Sequence, residues 1–220
     1  MNFDVFKGHI YLIDDDPSVR RSLAFSLSSA RYSIQAFDSA AAFLRDALPI
    51  TPAVIVLDVH LPGTSGLALQ TELKTQGRDT PIIFISGASQ PAEIIEAMKK
   101  GALDFLIKPF GLDSLVQAID LALCQDKERL HRKISTMDIQ GRFMRLTDKE
   151  REICKWMVKG YGNKEIAAMN GSAAATVKLH RSRVFEKMGC SSLPELLEMA
   201  LKTDRQILDI FESTPSPSLM

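Results

Sequence analysis

Residues 53–58 read AVIVLD, five consecutive apolar side chains ending on an aspartate. A run so short and so continuously apolar suits a strand covered on both faces, as in parallel sheets with helices above and below. IYLI at 10–13 and IIFI at 82–85 have the same character, and the first is followed by Asp14, Asp15 and Asp16. Working outward, the pattern predicts strands at His9–Ile13, Ser33–Phe37, Ala53–Leu57, Pro81–Ile85 and Asp104–Ile107. Amphipathic segments lie between them at Ser18–Ala30, Ala40–Ala47, Gly66–Gln76 and Pro91–Lys100. Five strands alternating with helices make a doubly wound, five-stranded parallel α/β sheet.

A fifth helix begins near Leu112, carries Leu115, Val116, Ile119 and Leu123 on one face, and turns polar through 125–133 (QDKERLHRK). That stretch reads as a solvated helical extension. From Leu146 every element reads as helix. Thr147 and Glu150 form a capping box, and the first helix ends before Gly160. A short helix covers Asn163–Met169, a longer one Ala174–Met188, and a last one starts near Ser192. The expected division is an α/β domain at 1–124, a helical linker at 125–145, an all-α four-helix domain at 146–212, and a Pro/Ser-biased disordered tail at 213–220 (STPSPSLM for 213–220).

The composition, 45% hydrophobic and 25% charged, is that of a globular chain. No apolar run approaches the roughly 18 residues that span a bilayer, and the N-terminus lacks the apolar core of a signal peptide. The simplest expectation is a cytoplasmic protein without a membrane partner. The 3 cysteines, Cys124, Cys154 and Cys190, are scattered with no CxxC pair, which argues against a disulfide framework or zinc site. A net charge of zero conceals an asymmetry. Residues 1–125 hold 10 Lys/Arg against 14 Asp/Glu, whereas 142–188 hold 11 against 5. An acidic half followed by a basic segment suggests a polyanionic partner for the second half alone.

Ligands of open parallel sheets bind beyond the carboxyl ends of the strands. Two such ends carry carboxylates, Asp14–Asp16 after the first strand and Asp58 after the third, and those strands are neighbours in a 2-1-3-4-5 order. Gathered anions repel unless a cation intervenes, and a hard, oxygen-seeking divalent ion such as Mg²⁺ suits them. Asp16, just before Pro17, also has the place of a helix cap. Ser86 and Lys108-Pro109 stand at the ends of the fourth and fifth strands. Hydroxyl, ammonium, metal and carboxylate together match what phosphoryl transfer to a carboxylate requires, which is positioning and charge neutralisation.

With these residues in view, 9–125 resembles the receiver domain of two-component systems, carrying "LIDDDPSVR", "VLDVHLPGTSG", "FISGAS" and "GALDFLIKPF" in the family's order. The resemblance implies a flavodoxin-like fold and phosphorylation of Asp58 by a sensor histidine kinase. It also implies Mg²⁺, or Mn²⁺ in its place, on Asp15, Asp58 and the backbone carbonyl of His60, with Asp14 assisting partly through water. Lys108 would pair with the phosphoryl group, the bond before Pro109 would be cis, and Ser86 and Phe105 would occupy the switch positions. His60 stands where many relatives carry other residue types. In receivers this position helps set how fast the acyl phosphate hydrolyses, so His60 either tunes the signal's lifetime or is an idle surface histidine.

Residues 146–203 resemble the LuxR-type helix-turn-helix through "LTDKEREICKWMVKGYGNKEIA", "TVKLHRSRVFEKMG" and "SSLPELLEMAL". The whole chain is thus similar to NarL/FixJ response regulators, closest to the FixJ side. On the third helix of this domain, a 100° projection puts Val177, Val184 and Met188 on a core stripe and Ala175, Leu179, Ser182 and Glu186 opposite. Such a face suits a major groove. The residues expected to meet double-stranded DNA are Asn163, Lys164, Thr176, Lys178, Leu179, Ser182, Arg183 and Lys187. His180 lies nearer the core edge. The turn Asn170-Gly171-Ser172-Ala173-Ala174 departs from the family's apolar–Gly–apolar–Ser/Thr pattern; Ala is a poor N-cap, and Ser172 is an alternative cap that would start the helix one residue earlier. The resemblance further implies a homodimer on phosphorylation, paired through the fourth-helix/fifth-strand face or the last helix, with RNA polymerase as a further partner. The alternative of an aspartate-nucleophile phosphatase calls for a second Asp two residues after the nucleophile, and His60 stands there. A constitutive DNA binder with a vestigial receiver is the other alternative.

Overall fold

The computed structural model describes residues 6–87 and 89–202. The predicted tail at 213–220, the end of the all-α domain at 203–212 and the first five residues lie outside the described residues. Two compact units divide at 130/131.

The first unit contains β1 (His9–Ile13), α1 (Pro17–Ser29), β2 (Ser33–Phe37), α2 (Ala40–Asp46), β3 (Ala53–Asp58), α3 (Gly66–Thr75), β4 (Ile82–Ser86), α4 (Pro91–Lys99) and β5 (Asp104–Ile107). The strands form one parallel sheet in the order β2-β1-β3-β4-β5, with Ile13 opposite Leu57 and Asp58 opposite Ile85. The chirality of parallel crossovers places helices on both faces. One layer of core gathers Tyr11, Ile13, Phe43, Ile55, Leu57, Leu69 and Phe84, the other Ile10, Leu12, Leu27, Val54, Val56, Ile83 and Ile119. Alternate residues of each apolar run thus serve opposite layers, and each fully buried aliphatic contributes about 1.5–3 kcal/mol. Pro81 stays outside β4, contrary to expectation: it has no N–H for the ladder, though its carbonyl accepts from the Ile55 amide at 2.9 Å.

The helix after β5, α5, runs unbroken from Leu112 to Met144. Asp126, fully buried, fastens it to the sheet by accepting from the Ala53 amide at 2.9 Å and from Arg129 Nη2 at 2.6 Å. The polar stretch at 125–133 hid this anchor, because a sequence does not reveal that one aspartate in it points inward.

The second unit contains the last turns of α5 with α6 (Asp148–Val158), α7 (Asn163–Asn170), α8 (Ala174–Met188) and α9 (Leu193–Lys202). Ile139 and Phe143 of α5 enter its core beside Leu146, Ile153, Met157, Ile166, Val177, Val184 and Leu196. The α5 extension therefore regains an apolar face after 133. The Thr147–Glu150 capping box forms, and Glu150 does more than cap. Its buried carboxylate accepts from the Thr147 amide at 2.8 Å and from Lys187 Nζ at 2.6 Å, which ties α6 to α8. Ser172 does not cap α8. The helix begins at Ala174 with Ala173 as N-cap and no side-chain bond, and the Ser172 amide is turned back onto the Ala167 carbonyl at 3.0 Å. The left-handed Gly171 that ends α7 directs it there.

Burial alone would raise the Glu150 carboxyl; its bonds from Lys187 and Thr147 prevail and lower it from 4.5 to about 2. The folded unit thus holds this proton less tightly than the unfolded chain. Its contribution is complete above about pH 4.5 and erodes as pH falls toward 2. Acid unfolding followed by the fluorescence of Trp156, the 1 tryptophan of the chain, is expected to show a smaller loss of stability between pH 5 and pH 3 in Glu150→Gln than in wild type. At pH 7, Lys187→Ala leaves the carboxylate unpaired and is expected to cost about 3 kcal/mol in urea titration.

Candidate functional site

The carboxyl ends of β1, β3, β4 and β5 build the acidic site. Asp14 ends the fully buried β1 run and is itself buried; its Oδ1 accepts from the Asp16 amide at 2.9 Å. Arg20 of α1 donates to the Asp14 carbonyl at 2.6 Å, fixing the loop from behind. Asp15 is exposed, and Asp16 caps α1 by accepting from the Ser18 amide at 2.7 Å. Asp58, the last residue of β3, accepts from the His60 amide at 2.9 Å. Oxygens of Asp14, Asp15 and Asp58 lie within 4.8 Å of one another, a set of hard donors fitted to a divalent cation.

Lys108 follows β5. Its ammonium donates to Asp14 Oδ2 and to Asp58 Oδ2, both at 2.7 Å. The Lys108–Pro109 peptide is cis, and so is Thr51–Pro52, which no motif marks. Burial raises the Asp14 carboxyl above the usual range, against the lowering pull of Lys108 and the Asp16 amide. For Lys108 burial works toward a lower value, but its bonds to Asp14 and Asp58 prevail and raise it. The ammonium therefore remains charged between the two oxygens.

Gly66 opens α3 against the back of this site. A Cβ there would lie 2.3 Å from the Asp58 carbonyl oxygen, so only glycine lets the helix approach so closely.

Beside Asp58 lies a polar chain that the sequence did not announce. His60 Nδ1 is 3.3 Å from the buried Ser86 hydroxyl, and its Nε2 is 3.3 Å from Glu93 Oε1. Ser89 donates to Ser86 at 2.7 Å, and the other oxygen of Glu93 accepts from the Gln90 amide at the start of α4. His60 is exposed yet touches both Ser86 and Glu93. No local motif marks Glu93 or Ser89; only the turn at the start of α4 brings them here. Phe105, half-buried on β5, stacks on Phe84 with centroids 5.9 Å apart.

On α8, Val177, Val184 and Met188 are buried, while Ala175, Leu179, Ser182 and Glu186 are exposed on the opposite face. Thr176, Lys178 and Arg183 are also exposed, and Leu179 is 52% exposed. Lys164 is exposed and Asn163 half-buried at the start of α7. Lys187 departs from this set: its ammonium is held by Glu150 rather than presented with the others. His180 is half-buried, as the projection implied, and Arg181 donates to the Tyr161 carbonyl at 3.1 Å. Among the described residues no helix is long and apolar enough to cross a membrane.

Comparison with known proteins agrees with both units. Residues 10–120 match the family described as "Response regulator receiver domain", and residues 144–200 that described as "Bacterial regulatory proteins, luxR family". The transcriptional regulatory protein FixJ of Bradyrhizobium diazoefficiens is 39% identical over 197 residues, covering 89% of this chain and 96% of FixJ. The response regulator protein TodT of Pseudomonas putida is 35% identical over 190 residues, 86% of this chain and 84% of TodT. Among solved structures, the response regulator StyR superposes with a TM-score of 0.80 at 34% identity, covering 88% of this chain and 98% of that one. Full-length FixJ from B. japonicum superposes with a TM-score of 0.57 at 36% identity, covering 90% and 98%. The two matches follow one another in one polypeptide, with relatives similar along nearly their full length, and the chain therefore belongs to the NarL/FixJ response regulators, phosphorylation-dependent transcriptional regulators with a receiver and a LuxR-type DNA-binding domain.

Proposed function

We propose that Asp58 is the phosphoacceptor and that its modification controls pairing of the chain on DNA. The observation that carries this reading is the convergence of Asp14, Asp15 and Asp58 within 4.8 Å, with Lys108 bonded to two of them. A carboxylate oxygen of Asp58 attacks the phosphorus of a kinase's phosphohistidine. The P–O bond forms as the P–N bond breaks, and the imidazole leaves with its electron pair. Asp14, Asp15, Asp58 and the His60 carbonyl would hold Mg²⁺, with Mn²⁺ as a substitute; the ion supplies charge neutralisation for the transferred group. Lys108, released from Asp58 Oδ2, pairs with a phosphoryl oxygen. Each chain accepts one phosphoryl group, hydrolysis of the acyl phosphate returns the carboxylate, and the chain acts as a regulator.

The Ser86 hydroxyl serves the resting and phosphorylated states in turn. At rest it lies between His60 and Ser89. A phosphoryl group on Asp58 offers stronger acceptors, Ser86 turns to it, and Phe105 follows. This shifts a two-state equilibrium of the α4–β5 face, and two copies pair there or through α9. Paired DNA-binding units then gain affinity through effective concentration on adjacent half-sites. Lys178 and Arg183 flank the groove-facing strip of Leu179 and Ser182, with Thr176, Asn163 and Lys164 toward the backbone. Lys187 is left out, since using it would strand the buried Glu150. A histidine kinase and double-stranded DNA as partners place the protein in the cytoplasm, with RNA polymerase a further partner at a promoter.

Acetyl phosphate with Mg²⁺ is expected to lower the concentration needed for footprint protection about ten-fold. Asp58→Asn is expected to bind DNA identically with and without it. Equal footprints for both states of wild type would defeat the reading in favour of a constitutive binder. Steady phosphate release from a generic ester, lost in Asp58→Asn, would defeat it in favour of a phosphatase. Lys178→Ala is expected to weaken binding and reduce the slope of log K against log salt by about one in filter-binding titrations. His60→Ala frees Ser86 and is expected to raise the dimeric fraction about three-fold at sub-saturating acetyl phosphate, read by sedimentation; about 0.6 kcal/mol of lost restraint suffices.

A further inference from the structure

We propose that residues 134–144 of α5 form a parallel two-helix seam with the same residues of a second copy. The proposal rests on the phosphorylation-dependent dimer put forward above and gives it a contact surface of its own.

Within the second unit, α5 has two apolar faces. Ile139 and Phe143 serve the unit's core. Ile134, Met137 and Met144, on the far side, are 55%, 57% and 66% exposed. Exposed apolar residues scattered singly are ordinary, but these three are spaced by three and then seven residues. With Gly141 they take the a, d, a, d positions of a heptad, Ile134 and Gly141 at a, Met137 and Met144 at d. That is the pattern of a helix seam and not of a solvated face.

Two independent features name the occupant. In this register Lys133 is at g and Asp138 at e, five residues apart. In a parallel pair the g side chain of one helix meets the following e side chain of the other, so Lys133 of each copy faces Asp138 of its neighbour across the two-fold axis. Asp138 already holds Arg142 of its own helix at 2.9 Å and has a second oxygen to offer. An antiparallel pair centred on the same stretch would set Asp138 near Asp138 and leave Lys133 without a carboxylate partner. The second feature is Gly141. Glycine inside a helix costs about 1 kcal/mol against alanine, and nothing among the described residues requires it here. Gly141 is absent from the positive-φ residues, and nothing lies within 4 Å of where its Cβ would be. A missing Cβ on the seam lets a second backbone come close.

The seam is small. Ten helical steps rise about 15 Å, well short of the roughly 800 Å² per partner of a stable interface. It cannot hold two monomers together unaided. It adds to a pairing already begun elsewhere, because the second contact of a joined pair forms at high effective concentration.

The test uses the full chain with the exposed Cys124 replaced by serine. Met137→Cys is compared with Ser135→Cys, which is exposed but lies off the seam. After acetyl phosphate and Mg²⁺, Met137→Cys is expected to form a disulfide-linked dimer about ten-fold faster than Ser135→Cys, since paired d positions fall within disulfide reach. Lys133→Glu and Asp138→Lys are each expected to raise the dimer dissociation constant about five-fold in sedimentation, and the double reversal to restore it. Equal crosslinking rates at the two positions, or reversals without effect on a wild-type-like dimer, overturn the seam and leave the phosphorylation-dependent dimer standing. Weakened single variants with no restoration in the double overturn the parallel register, and with it the seam as stated. A wild-type chain that stays monomeric with acetyl phosphate overturns the dimer reading and the seam together.

Discussion

The receiver depends on one ammonium group held between two carboxylates. Asp14 has no solvent exposure, and a buried carboxylate without a counter-charge costs several kcal/mol. Lys108 supplies that charge at 2.7 Å and spans the end of the sheet in doing so, from β5 past β4 and β3 to β1. The strand order makes this feasible: parallel strands deliver their carboxyl ends to one edge, and residues distant in sequence become neighbours there. The same bond holds the lysine ammonium beside Asp58 at the open end of the sheet.

A buried hydroxyl lies beside the acidic site. Ser86 is fully buried and its neighbours on the resting side are His60 and Ser89. His60 in turn contacts Glu93, which closes the first turn of α4. Side chains in contact thus run from Ser86 to the start of α4. Phe105 stacks on Phe84 and is only half-buried.

How much of this was legible in the sequence follows from how local each signal is. The apolar runs fixed the strands to within a residue, since a buried parallel strand has one character along its whole length. Asp14, Asp58, Ser86 and Lys108 were recoverable because strand ends are where such sheets work. The buried and exposed faces of α8 followed from helical period alone. What escaped was contact between distant elements. The anchoring of α5 by Asp126, the clamp of Lys187 by Glu150 and the His60–Glu93–Ser86 chain each join residues whose local sequence is ordinary polar surface. Ser172 shows the converse: its type suited a cap, but the left-handed Gly171 carried its amide back to α7 and left Ala173 in the capping place.

The clamp between α6 and α8 has a corollary for the outer face of α8. Because the core stripe and Lys187 hold the recognition helix without help from its outer face, Ala175, Leu179, Ser182 and Glu186 are released from any duty in folding. Substitutions confined to that face are therefore expected to leave the thermal robustness of the unit nearly unchanged.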